Sequence, residues 1–322
     1  MGIQTSTINS GPVSGFKNKI INGNFDFWQR GTSFSGTGNQ YTADRWYFTK
    51  SGAGTGFTVS QQSFTLGQTD VPNNPTYFCR LNITSTTNLT NISLSQYIEG
   101  VRTLAGQQVT VSFWAKASAT TTLPNIWLQQ DFGTGGSPSA VVITQLATNQ
   151  SISTTWTRYS YTTTLPSISG KTLGTNGNDL LRLYIDFTMA VVTVDIAQVQ
   201  VEQGPVATSF EQRPQQTELA LCQRYFYSYI IGTNQTGTFP NLYTSYASAG
   251  GSVVLVQETA VTMRTSPNHT KVGTWNVSNC AQPTIAGGSN TSFSHQATVT
   301  AAGAAQSLPV ASGAGYTLDA EL

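Results

Sequence analysis

The chain is predicted to be all-β, and three observations carry that expectation. Charged residues make up only 9% of its 322 positions, against roughly 25% in an average soluble protein. Short runs of alternating apolar and polar residues, separated by Gly, Asn, Ser and Pro, recur from Lys19 to about Gly204, the pattern of strands in a sandwich or barrel. One segment alone, TELALCQRYFYSYI (217–230), has helical spacing: Leu219, Cys222 and Phe226 fall three to four apart, with Pro214 just ahead.

Taken in order, residues 1–18 are polar with little to bury, and read as an arm ordered against a partner. Residues 19–212 then form a β-sandwich, opening on KIINGNFDFWQRG (19–31). Phe25 and Phe27 alternate with Asp26 and should enter the core, while Trp28 and Trp46 read as core or interface residues rather than ligand contacts. Asp44 and Arg45 are expected to pair or to tie down a loop, an exposed pair being worth no more than about 1 kcal/mol. SFEQRP (209–214) reads as a hinge, with Arg213 paired to a nearby acid. Residues 213–230 are the helical connector. Residues 231–322, with SVVLVQ, HTKVGTWNV and SFSHQATVTA, form a smaller β domain.

Period-two alternation assigns faces. In VTVSFWAK, Val109, Val111, Phe113 and Ala115 point inward, and Thr110, Ser112, Trp114 and Lys116 outward. In NIWLQQDF, Ile126, Leu128 and Phe132 go inward with Gln130 in the same phase, leaving Asn125, Trp127, Gln129 and Asp131 outside. In LLRLYIDF, Leu181, Leu183, Ile185 and Phe187 go inward and Arg182, Tyr184 and Asp186 outward. If these strands are neighbours, Trp114, Trp127 and Tyr184 make one aromatic platform. Gln129, Asp131 and Arg182 are its hydrogen-bonding rim, and Lys116 and Asp186 lie nearby. A sugar suits such a surface, because its C–H face stacks on a ring while its hydroxyls need polar partners at the edge. Outward aromatics also pack against another domain or subunit, and the two roles are compatible.

Several classes of function are excluded or weakened. A net charge of +1 gives no footprint for nucleic acid. No run of about 18 apolar residues offers a membrane-inserting helix. Cys79, Cys222 and Cys280 are widely spaced, and His269 and His295 are the only histidines, so neither a disulfide framework nor a zinc site is expected. Asp131 and Asp186 are the carboxylates a glycosidase could use, but nothing around them marks an acid and a nucleophile, and no catalysis is expected.

The opening stretch resembles the first strand of the jelly-roll carbohydrate-binding modules attached to glycanases. LSQYIEG (94–100), QQVTVSFWAKAS (107–118), TTWTRYSYTTTL (154–165) and VVTVDIAQVQVEQG (191–204) follow in the matching order. A narrower resemblance covers the whole chain. NGNFDFWQRGTSF with YTADRWYF, then AQVQVEQGPVATSFEQRPQQTELALCQRYF, VTMRTSP and the C-terminal YTLDAEL are similar to a set found in tailed-phage tail-fibre and receptor-binding proteins. The resemblance implies a homotrimeric virion protein, attached to other virion proteins through residues 1–18, whose jelly roll adheres non-enzymatically to host-surface polysaccharide. The alternatives are a capsid or tail decoration protein and a polysaccharide-degrading tail spike. It also implies a structural calcium held by Asp26 and Asp195 with backbone oxygens near Gly23 and Asn24. Here the family's usual first Glu is Asp26, and Ile196 stands where a second acid follows Asp195; the other role for Asp26 is turn hydrogen bonding.

Overall fold

The computed structural model describes residues 15–36, 38–230, 242–247, 249–308 and 314–322. Most of the expected arm, residues 1–14, lies outside them, as do residues 231–241 of the second β region. Twelve strands come first: β1 (Ser33–Ser35), β2 (Gln40–Tyr41), β3 (Trp46–Ser51), β4 (Phe57–Ser63), β5 (Tyr77–Ile83), β6 (Asn91–Glu99), β7 (Gln108–Ala117), β8 (Thr121–Asp131), β9 (Val142–Ile152), β10 (Thr157–Thr164), β11 (Leu180–Phe187) and β12 (Thr193–Gln203). They form two six-stranded antiparallel sheets. The first has the order β1-β4-β5-β12-β7-β10 and the second β2-β3-β6-β11-β8-β9. From β6 to β8, and again from β9 to β12, each strand lies in the sheet opposite to its predecessor's, the back-and-forth path of a jelly roll.

The apolar phase of each strand fills the space between the sheets. Val109, Val111, Phe113 and Ala115 from β7 meet Ile126 and Leu128 from β8 and Leu181, Leu183 and Ile185 from β11 in one buried cluster. Each fully buried Leu, Ile, Val or Phe contributes roughly 1.5–3 kcal/mol relative to exposure. Gln130, in the inward phase, is buried too, and its Nε2 donates to Pro166 O at 3.1 Å. That contact satisfies the amide nitrogen, while the amide oxygen is buried without a partner.

The opening stretch is not a strand. Asn22 and Phe25 have φ of 56° and 57°, in the left-handed region that breaks extended pairing. The side chain of Asn22 holds the turn closed: Nδ2 donates to Phe27 O and Asp44 O, and Oδ1 accepts from Phe27 N. The turn drives Phe25 into the core, stacked on Trp46 with centroids 5.0 Å apart, while Phe27 stays half-buried. Trp28 and Trp46 are buried, and their indole N–H groups donate to Phe25 O and Asn22 O. Lys17 N and Asn18 N donate to the Glu211 carboxylate, so residues 17 and 18 are tied to the sandwich.

Past the sandwich the expected helix is shorter than its pattern. Helix α1 is Gln215–Gln223, preceded by Pro214, and Arg213 pairs with Glu218 at 3.0 Å. From Phe226 the chain becomes strand β13 (Phe226–Ile230), because Phe-Tyr-Ser-Tyr-Ile alternates with period two and pairs with a strand far down the chain. Of the expected helical stripe only Cys222 is buried on α1; Leu219 is half-buried and Phe226 is buried from the strand. The remaining strands are β14 (Leu242–Ala247), β15 (Ser252–Glu258), β16 (Asn268–Val272), β17 (Asn276–Ser278), β18 (Thr284–Gly288), β19 (Ser292–Thr298), β20 (Gly303–Leu308) and β21 (Gly315–Asp319). They make three three-stranded sheets, β13-β21-β16, β14-β20-β17 and β15-β19-β18. A separate apolar cluster, including Trp275, Phe293, Tyr316 and Leu318, lies among them.

The last residues return to the sandwich. Arg30 reaches Asp319 at 3.2 Å and Glu321 at 3.3 Å, and its guanidinium lies 3.5 Å from the Phe226 ring centroid. Arg45 pairs with Glu321, donates to Tyr97 O and stacks on Tyr225. Arg45 therefore does not pair with Asp44, whose carboxylate accepts from Gln29 N and Nε2.

Candidate functional site

Sheet order divides the expected platform. β8 and β11 are neighbours in the second sheet, and Tyr184 stands directly opposite Trp127. Trp114, on β7, belongs to the first sheet, opposite Arg158 on β10 and Ala197 on β12. Side chains outward on two sheets of one sandwich point in opposite directions, so Trp114 cannot join the other two rings. Five of the six residues expected to meet a glycan, Trp127, Tyr184, Gln129, Asp131 and Arg182, do share the outer face of the second sheet.

The register builds that face in rows. One row runs Tyr47, Ser95, Tyr184, Trp127, Gln145, and the next Tyr97, Arg182, Gln129, Ile143. Trp127 and Tyr184 stack with centroids 4.4 Å apart and planes 4° from parallel, a pair worth roughly 0.5–1.5 kcal/mol beyond its burial. Rings on adjacent strands can lie parallel at that spacing only by standing up from the sheet, since the strands themselves are about 4.8 Å apart. Arg182 lies 4.4 Å from the Tyr184 centroid and 5.2 Å from that of Tyr97, and so bridges the stack to further rings. Tyr97 contacts Tyr47 at 5.7 Å, and Tyr41 contacts Tyr47 at 4.9 Å. The expected slab is thus an aromatic strip across five strands. Its members Tyr41, Tyr47 and Tyr97 escaped sequence reasoning. Tyr47 sits between Trp46 and Phe48 in an unbroken aromatic run, and Tyr97 follows a buried Gln96, so neither shows clean alternation.

The polar groups of the face have distinct employments. Arg182 Nη2 donates to Ser95 Oγ at 3.2 Å, while its Nε and the indole Nε1 of Trp127 are buried without a protein acceptor. Asp186 accepts from Asn91 Nδ2 and Asn125 Nδ2, both at 3.0 Å, and Asp131 accepts from Gly133 N at 2.9 Å. Burial raises the phenol pKa of Tyr41, Tyr97 and Tyr184, which keeps their hydroxyls neutral. At one end, Tyr41 Oη donates to Leu322 O at 3.1 Å, so the C-terminal residue borders the strip.

Of the four groups expected to hold calcium, Gly23, Asn24 and Asp26 line one cavity and Asp195 lines another. Asp195 is chelated by Arg80 through Nε at 2.7 Å and Nη2 at 2.9 Å, with Lys116 at 4.0 Å from its Oδ2. Both oxygens of this carboxylate are therefore engaged by one guanidinium. Gly23 O accepts from Val199 N at 2.8 Å. Asn24 turns its Nδ2, not its oxygen, toward Asp26. Asp26 borders its cavity with Arg213 and Glu218, and burial raises its pKa to about 6. Among the described residues no cluster of three or more His, Cys, Asp or Glu could hold a metal ion. No helix among them is long and apolar enough to cross a membrane.

Neither a family model nor a curated protein matches the sequence. Similar solved structures include the enzymatically active domain of tailspike protein 4 of bacteriophage CBA120, at 14% identity and a TM-score of 0.35, over 60% of this chain and 22% of that one. Another is the CBM22-1 xylan-binding domain of Paenibacillus barcinonensis Xyn10C, at 15% identity and TM-score 0.32, over 54% of this chain and 94% of that one. A third is a cyclase from Fischerella sp. TAU bound to an indole compound, at 12% identity and TM-score 0.37, over 60% of this chain and the whole of that one. A phage enzyme, a sugar-binding module and a cyclase stand side by side at these scores, so function has to be read from the residues.

Proposed function

We propose that this chain is a structural protein of a tailed-phage virion that adheres, without catalysis, to host-surface polysaccharide through the outer face of its second sheet. The observation that carries the binding reading is the aromatic strip itself, in which Trp127 stacks on Tyr184 and Arg182 lies over Tyr184 on the outer face of the second sheet. Trp127 and Tyr184 cover one face of each other, and Arg182 lies over Tyr184. A sugar would therefore meet the far side of Trp127 and the tyrosine rings beyond Arg182. Asp131, engaged by Gly133 N, suits a hydrogen-bonding rim, and Asp186 is buried between two amides, so the two do not read as an acid and nucleophile pair. The virion role, the homotrimer and attachment through residues 1–18 rest on the sequence resemblance alone.

The test is a host-polysaccharide binding assay with Trp127→Ala and Trp114→Ala side by side. Loss in the first and retention in the second is the expected result; equal binding by all three proteins would end the proposal. A purely structural decoration role is the second reading, favoured by Val254 and Val256, which lie exposed on β15 as for a protein contact. Imaging that places the protein across the capsid shell, with no glycan binding, would select it.

A further inference from the structure

The outer face of the first sheet holds a second constellation. Three strands and one flanking residue supply it: Arg80 from β5, Asp195 from β12, Lys116 from β7, and Trp156 just before β10. Arg80 and Lys116 stand on either side of Asp195 in register, and with Ser118, Thr154 and Thr193 these three line a cavity of ≈ 360 Å³. Trp156 packs on Phe78 and Phe64 at 5.4 Å and 5.2 Å, and Lys116 Nζ lies 5.2 Å from its ring centroid.

Charge decides what this cavity can take. The Asp195 side chain is 3% exposed, whereas those of Arg80 and Lys116 are 36% and 34% exposed. Asp195 takes Arg80 Nε and Nη2, leaving Nη1 outside the pair, and Lys116 is only at the 4.0 Å limit of ion pairing. One buried carboxylate thus positions two half-exposed cations, a local excess of one positive charge beside an aromatic ring and three hydroxyls. Bidentate locking fixes the guanidinium plane before any ligand arrives, which removes part of the ordering cost of binding.

We infer that this cavity is a binding site for an acidic saccharide, one bearing a carboxylate or a phosphate. The acid group sits between Arg80 Nη1 and Lys116 Nζ, and Ser118, Thr154 and Thr193 meet the saccharide hydroxyls; Trp156, packed behind Lys116, holds that cation in place. The site is on the opposite sheet from the aromatic strip, so it stands or falls independently of that reading. Asp195 acts as a positioning residue for the two cations.

The experiment is calorimetric titration of the full chain with a galacturonate trisaccharide, a hexose phosphate and a neutral galactose trisaccharide, each at low and high salt and with EDTA. The two acidic probes distinguish a carboxylate preference from a phosphate preference. The expected result is binding of at least one acidic probe and not of the neutral one, weakened by salt and unchanged by EDTA. Lys116→Gln, which alters a half-exposed side chain, should lower affinity about tenfold, as for loss of one charge-assisted hydrogen bond. Trp127→Ala should leave acidic-probe binding intact. Equal affinity for neutral and acidic probes, wild-type affinity in Lys116→Gln, loss in Trp127→Ala, or abolition by EDTA would each overturn the assignment. So would an absence of binding by both acidic probes.

Discussion

Removing the Glu321 carboxylate should destabilise the protein far more than removing Asp319, two residues earlier, although both face Arg30. The difference is burial. Glu321 is 4% exposed and its partner Arg45 1%, whereas Asp319 is 41% exposed. In Glu321→Ala the Arg45 guanidinium keeps only Tyr97 O and the face of Tyr225, and a positive charge stays buried without a counter-ion. Breaking a buried pair from one side costs about 3–5 kcal/mol, whereas an exposed pair contributes no more than about 1 kcal/mol. At roughly 2–4 °C per kcal/mol for a chain of 150–250 residues, Glu321→Ala should lower Tm by about 10 °C and Asp319→Ala by less than about 4 °C. Differential scanning calorimetry of the three proteins at neutral pH reads both values. Equal shifts, or a Glu321→Ala protein within 2 °C of wild type, would show that the C-terminal residues do not hold the sandwich as described.

Three further outcomes follow from the structure. Burial lowers the pKa of His269 and His295 to about 4, and neither ring nitrogen of either has a protein partner; the unfolded chain protonates them first, so their contribution to stability is present above about pH 6.5 and is lost as pH falls toward 4. Asp26 and Asp44, raised by burial to about 6, act oppositely by favouring the folded state at low pH, so the readout is the difference between wild type and His295→Phe in Tm measured from pH 7 to pH 4, whose acid slope should flatten in the variant. Gly23→Ala should fail to fold or lose several degrees of Tm, because its Cβ would lie 2.2 Å from Val199 O, a backbone atom that cannot swing aside; a wild-type melting curve would refute that packing. Chelation with EDTA should leave Tm unchanged, since Asp195 is satisfied by Arg80, and a large drop would restore the calcium expectation.

What the sequence made legible was parity. Alternation in β7, β8 and β11 assigned each residue to a face of its sheet, because the pleat has period two whatever the strand pairs with. It did not assign burial: Thr110, Ser112 and Asp186, expected outward, are buried, Thr110 and Ser112 beneath Gly204 O and Arg158. Partnership was not legible, since the strand beside β8 is β11, fifty residues on, and no local pattern encodes that choice. Trp114 was therefore grouped with Trp127 and Tyr184 on parity alone, and sheet order separates them. The partner of Asp195 was illegible for the same reason: Arg80 is 115 residues away. The opening stretch misled differently. Its strand-like composition hides two left-handed residues, Asn22 and Phe25, and a bulky residue at positive φ is stabilised only by tertiary contacts, here the core seat of Phe25 against Trp46. At α1, aromatic spacing suited both periods, and pairing with β21 decided for strand.

The most direct measurement is the dissociation constant of host polysaccharide for wild type, Trp127→Ala and Tyr184→Ala, with folding verified by near-ultraviolet circular dichroism. Binding by the wild type and at least tenfold weakening in both variants is the expected result. Undiminished affinity in folded Trp127→Ala protein would contradict an adhesive role for the second sheet.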